Sequence, residues 1–110
     1  MQNYARLYYG VKYLVRPRKN DIITKVKNKV VHFVGIGGIG VSALAQWFLN
    51  DGWRVSGSDL ESSEITESLS RKGIPITIGP HHKKNVPDDA RLVIHTAAAH
   101  SNQEISEGLK

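Results

Sequence analysis

Four glycines, Gly35, Gly37, Gly38 and Gly40, fall within six positions in the middle of a 21-residue stretch, Val30 to Asn50, that carries no charged side chain. A stretch of that length is long enough to span a bilayer as a helix. The glycines exclude that helix, because each costs roughly 1 kcal/mol in a helix interior, and His32, Gln46 and Asn50 add polar groups. The segment therefore reads as strand, tight turn and helix. Val30, Val31, Phe33 and Val34 form a β-branched and aromatic run suited to a strand buried on both faces. Val41, Leu44, Ala45, Phe48 and Leu49 recur at helical spacing, and Gly52 is placed to end that helix in a left-handed conformation.

The pattern continues downstream. A second strand is predicted over 53–57, leading to Ser58 and Asp59. Ser62 or Ser63 caps the next helix, with Glu61 and Glu64 near its positive end, Arg71 and Lys72 near its negative end, and Gly73 as the stop. A third strand is expected over 74–78, where Pro75 implies late pairing or a sheet edge. A polar loop over 79–89, a fourth strand around 91–96 and a helical start at Asn102 complete the order. Alternating strands and helices imply an α/β fold, a Rossmann-like parallel sheet with helices on both faces. At 110 residues the chain holds one core rather than two.

Residues 1–28 differ in character and form a basic leader to the domain over 29–110. Positions 1–29 hold eight of the fifteen Lys and Arg and one acid, Asp21, whereas the remaining 81 residues hold seven basic and nine acidic side chains. A globally basic nucleic-acid binder is therefore excluded. Tyr4, Leu7, Tyr8, Val11, Leu14 and Val15 lie at helical spacing, with Arg6, Lys12 and Arg16 off the stripe. They predict a short amphipathic helix before Pro17 that docks on its own domain or a neighbour, followed by a polar connector over 16–21. Aromatics interleaved with cations also suit RNA or an anionic membrane, but no base-reading motif accompanies them. Lys12, Gly10 and the tyrosines interrupt any signal-peptide core, and there is no cysteine, so a cytoplasmic location is expected with no membrane insertion.

The glycines satisfy G-x-G-x-x-G as Gly35-Ile36-Gly37-Gly38-Ile39-Gly40, after a strand and opening a helix. Gly35 permits the tight turn, Gly37 lets a diphosphate approach the backbone, and Gly40 lets the helix pack close to the strand. Backbone N–H groups and the positive end of the helix dipole then face the anion. Asp59 follows Gly40 by 19 residues, at the end of the second strand, where a carboxylate accepts from ribose hydroxyls. This context predicts a dinucleotide-type fold that binds a diphosphate. It does not choose among a nicotinamide dinucleotide, a flavin dinucleotide and a nucleotide sugar.

The wording of the segment does choose. His32 to Ala45, "HFVGIGGIGVSALA", followed by Gly52 to Leu60, "GWRVSGSDL", resembles the start of the Mur ligases, most closely the branch that adds L-alanine. "GPHHKKNV" over Gly79 to Val86 is similar to the family's H-x-x-x-N loop, with His81 and Asn85 at the matching spacing. "VIHTAAA" over Val93 to Ala99 stands where a strand ending in Ser-Ser-Ala-Ile is usual, and "NQEI" over Asn102 to Ile105 stands for Asn-Pro-Glu-Ile. The resemblance covers 29–110 and implies the N-terminal domain, which binds the UDP end of UDP-N-acetylmuramate. It implies the loop of Gly35, Ile36, Gly37, Gly38, Ile39 and Gly40 against the diphosphate. It also implies Asp59, His81 and Asn85 around the uridine, and Thr96, Ala97 and Ala98 near diphosphate and sugar. Val41 replaces the usual Met, Gln103 replaces Pro, and "TAAA" removes one hydroxyl.

The same resemblance implies that ATP and magnesium belong to a central domain carrying G-x-x-G-K-T, with a third domain helping to bind the amino acid. No Gly-Lys pair occurs in this chain. The expectation is a substrate-binding piece of the ligase, short of the sheet's fifth strand, with no catalytic residue, no bound cofactor and no activity alone. Other constellations are weaker. His81, His82, His95 and His100 lack a carboxylate or thiolate to complete a metal site, and His32 and His95 on strands are expected to be packed and hydrogen-bonded. Ser56, Ser58 and Ser101 lack a nucleophile elbow, and Asp88-Asp89 after Pro87 reads as a solvated turn. The alternatives are an NAD-binding domain of an oxidoreductase or regulator, and a binding protein whose leader carries the function.

Overall fold

A computed structural model of the chain describes residues 4–8, 11–15 and 29–96. Strands β1 (Tyr4–Tyr8) and β2 (Val11–Val15) precede β3 (Val30–Val34), helix α1 (Ile39–Asn50), β4 (Arg54–Asp59), α2 (Glu64–Arg71), β5 (Ile76–Ile78), a 3-10 turn η1 (Lys83–Asn85) and β6 (Leu92–Thr96). They form one sheet in the order β1-β2-β6-β3-β4-β5. The four strands from β6 to β5 are parallel, as the α/β reading requires.

The leader departs from expectation. Its apolar stripe predicted an amphipathic helix, but the backbone forms two antiparallel strands, paired from Tyr4↔Val15 to Tyr8↔Val11. The same residues also carry a period of two. Val11, Tyr13 and Val15 alternate with Lys12 and Leu14, and β-branched and aromatic residues favour strands. Only Tyr9 and Gly10 separate the paired ends, a spacing typical of tight hairpins. The deciding term is non-local, because β2 pairs antiparallel with β6, Val11↔Thr96 through Val15↔Leu92. The connector expected over 16–21 and the helix start at Asn102 lie outside the described residues.

Alternation along β3 divides the core. Val31 and Phe33, with Val55 of β4 and Ile94 of β6, meet Val41 and Ala45 of α1 and Leu69 of α2. Val30 and Val34 join Val93 on the reverse face, where Val86 and Ala90 cover them. Two successive crossovers, β3 to β4 and β4 to β5, step in one direction, so right-handed connections put α1 and α2 on the same face. The connection from β5 to β6, bearing η1, returns beneath the other face. Phe48 locks the end of α1 by edge-on contacts with Phe33 at 5.8 Å and Trp53 at 4.9 Å.

Helix ends match the sequence signals. Ser63 caps α2, and Gly52 and Gly73 follow the two helices with positive φ. Strand β5 starts after Pro75 at the sheet's outer edge. Among the described residues no helix is long and apolar enough to cross a membrane.

Candidate functional site

In an open parallel sheet, ligands bind beyond the carboxyl ends of the strands, at the point where successive connections diverge. Here that point lies between β3 and β6, because the chain leaves β3 for β4 on one side while β6 lies on the other. The glycine loop follows β3 at this crevice. Val34 pairs with His95, so the backbone of Thr96 stands one residue further on, at the level of Gly35. Ala97 and Ala98 lie outside the described residues.

The loop's amide groups divide into two sets. Gly35 turns with φ of 76°, and the N–H groups of Gly35 and Ile36 both donate to the Ser58 carbonyl, at 2.9 and 3.0 Å. The Gly37 N–H donates to Asp59 Oδ2 at 2.8 Å, and the Gly38 N–H to the Gly35 carbonyl at 3.1 Å. The first four amides of the motif are thus bonded within the protein. The first helical bond runs from the Ser42 N–H to the Gly38 carbonyl at 2.8 Å. The N–H groups of Ile39, Gly40 and Val41 come before it and have no partner among the described residues. Gly38 supplies no side-chain cap and the first turn of α1 has no acid, so this helix end keeps its positive field.

Asp59 has two duties at once. Oδ2 holds the loop through Gly37, whereas among the described residues Oδ1 accepts only a long 3.4 Å bond from the Glu61 N–H and retains capacity for a hydroxyl donor. The Asp59 carbonyl accepts from the Gly79 N–H at 3.0 Å, which ties the exit of β5 to the same point. Two residues further on come His81 and then η1, which Asn85 ends; both are half-buried. His82 caps this turn, its Nδ1 accepting from the Lys84 N–H at 3.0 Å. Val86 anchors the turn under the sheet. The fold thus ties Gly35 and Ile36 to Ser58 and Gly37 to Asp59 by direct bonds, and sets the His81–Asn85 turn one connection away.

Two glycines have reasons that the motif alone does not give. A Cβ on Gly37 would lie 2.8 Å from Asp59 Oδ2 and 3.0 Å from Thr66 Cγ2, so the protein itself requires glycine there, before any ligand arrives. Gly40 is exposed at the second position of α1. Close approach to a strand glycine occurs at Gly57 of β4, where a Cβ would lie 2.4 Å from Ile36 Cδ1. Sequence reading passed over Gly57 and Thr66, although a glycine inside a strand signals close approach of another chain segment. His32 is fully buried with Nδ1 2.9 Å from Ser56 Oγ, and His95 is buried too, as expected for packed strand histidines. Asp89, expected in a solvated turn, forms an exposed ion pair with Arg54.

Comparison with known proteins agrees with this geometry. Residues 30–110 match the model of the Mur ligase family, catalytic domain. A UDP-N-acetylmuramate--L-alanine ligase of Clostridium kluyveri is 52% identical over 79 residues, covering 72% of this chain and 17% of that protein. One from Clostridium botulinum is 52% identical over 84 residues, covering 76% of this chain and 18% of its own length. The crystal structure of the UDP-N-acetylmuramate-alanine ligase MurC from Thermotoga maritima superposes with a TM-score of 0.62 at 44% identity, over 69% of this chain and 17% of that one. The chain thus spans less than a fifth of the length of these relatives. Its glycine loop, the parallel sheet that carries the loop and the match over 30–110 make it a member of the Mur ligase family.

Proposed function

We propose that this chain is the UDP-N-acetylmuramate-binding module of a cytoplasmic, ATP-dependent ligase that joins L-alanine to that nucleotide sugar during peptidoglycan precursor synthesis. The observation that carries the reading is the trio of amides at Ile39, Gly40 and Val41, without a partner among the described residues, at the loop that Asp59 holds and at the sheet's divergence point. Such a helix start suits a diphosphate. The bonded amides of Gly35 to Gly38 shape the loop, and those of Ile39, Gly40 and Val41 receive the anion. Asp59 Oδ1 is available to a ribose hydroxyl. The turn from His81 to Asn85 contributes to the uridine end, and the family resemblance assigns Thr96, Ala97 and Ala98 to the diphosphate and sugar.

ATP and magnesium do not fit the residues present here. The sequence has no Gly-Lys pair for a γ-phosphate, and among the described residues no three His, Asp or Glu side chains gather as metal ligands. Their chemistry, activation of the muramoyl carboxylate as an acyl phosphate for attack by the alanine amine, belongs to the other ligase domains. This module's part is to hold and orient the nucleotide sugar.

An NAD-binding reading shares the glycine loop and Asp59, so calorimetry with both ligands separates the two. UDP-N-acetylmuramate should bind more tightly than NAD, and His81→Ala should weaken it. Tighter binding of NAD, with His81→Ala silent, would overturn the proposal.

A further inference from the structure

The start of α2 lies against the glycine loop, and one side chain links the two. Thr66 is 3% exposed. Its Oγ1 accepts from the Ser63 N–H at 2.8 Å and donates to the Ser63 carbonyl at 3.0 Å, while its own N–H donates to Ser63 Oγ at 3.2 Å. These bonds close a capping box that fixes the helix start. With the hydroxyl held there, the Cγ2 methyl is directed at the glycine loop, 3.0 Å from where a Gly37 Cβ would be. On the same side of Gly37, the Asp59 carboxylate bonds its N–H.

We infer that Thr66 is a positioning residue for nucleotide binding, bracing the Gly37 peptide so that the first amides of α1 present a fixed anion cradle. The inference rests on the nucleotide-sugar reading above. The two halves of the threonine side chain have separate duties. The hydroxyl sets the start of α2, and the methyl is the surface against which the loop rests. Serine keeps the first and removes the second; valine keeps the methyl and loses the hydroxyl. A role confined to helix stability would make valine the worse replacement in every measurement. A bracing role splits the two.

The test compares the intact chain with Thr66→Ser and Thr66→Val by three readouts: urea midpoint, calorimetric affinity for UDP-N-acetylmuramate, and hydrogen exchange of the Gly37 amide. Thr66→Ser should bind about three- to tenfold more weakly, as expected for loss of one buried methyl contact, and its Gly37 amide should exchange several-fold faster. Thr66→Val should have the lower urea midpoint while the folded protein binds within about twofold of the parent. Gly37 exchange unchanged in Thr66→Ser, or affinity falling in step with stability in both variants, would overturn the inference. The exchange measurement needs no ligand. A parent chain that fails to bind the nucleotide sugar would therefore refute the nucleotide reading alone, and Gly37 exchange would still decide the brace.

Discussion

A single methyl group at position 57 would remove the space that Ile36 occupies. Gly57 pairs with Phe33 in the middle of β4, and Ile36, fully buried, folds back from the glycine loop onto it. Gly57→Ala should therefore destabilise the fold by about 1–3 kcal/mol, the range for overpacking a filled core. The check is a lower urea midpoint at unchanged slope. Asp59 is half-buried and outside both core clusters, and its loss removes the Gly37 staple together with the acceptor proposed for a ribose hydroxyl. Asp59→Ala should weaken UDP-N-acetylmuramate by about ten- to a hundredfold, equivalent to about 1.5–3 kcal/mol for bonds to a charged acceptor. An affinity within twofold of the parent in calorimetry would refute that assignment. The spacing from Gly35 through Gly40 to Asp59 was legible in the sequence because turn, helix start and strand end have fixed local signatures. The bond between Gly37 and Asp59 was not legible, because it depends on how β4 returns beside β3.

Among the elements, α1 could be read from its stripe and stop, α2 from its cap and stop, and β3 from its β-branched and aromatic run. Their signals are local and their caps lie in the sequence itself, as with Ser63 and Gly73. The leader was misread because Tyr4 to Val15 satisfies periods of both two and 3.6 residues. What selects the strand is the edge of β6, a partner about eighty residues away. That edge has a consequence. Without β2, the run Leu92-Val93-Ile94 would present an unpaired apolar strand edge, a template for another chain. Deleting residues 1–15 should leave nucleotide affinity within a few-fold, since the glycine loop is carried by β3, α1 and β4. It should also shift the protein toward dimers or larger species in size-exclusion chromatography. A strictly monomeric deletion variant at high concentration would show that the hairpin does not protect this edge.

At the scale of the whole molecule, the sheet and its glycine loop belong to a family whose clostridial relatives are more than five times as long as the matched segment. Purified chain given ATP, magnesium, UDP-N-acetylmuramate and L-alanine should release no phosphate above background, and turnover would contradict the assignment of that chemistry to other domains. The most direct test of the central claim maps the cradle itself. In amide-resolved NMR of the labelled chain, UDP-N-acetylmuramate should shift Ile39, Gly40 and Val41 most strongly, with Asp59 and the turn from His81 to Asn85 following, and NAD at the same concentration should shift them less. Shifts confined elsewhere, or a larger response of these three amides to NAD, would contradict the account.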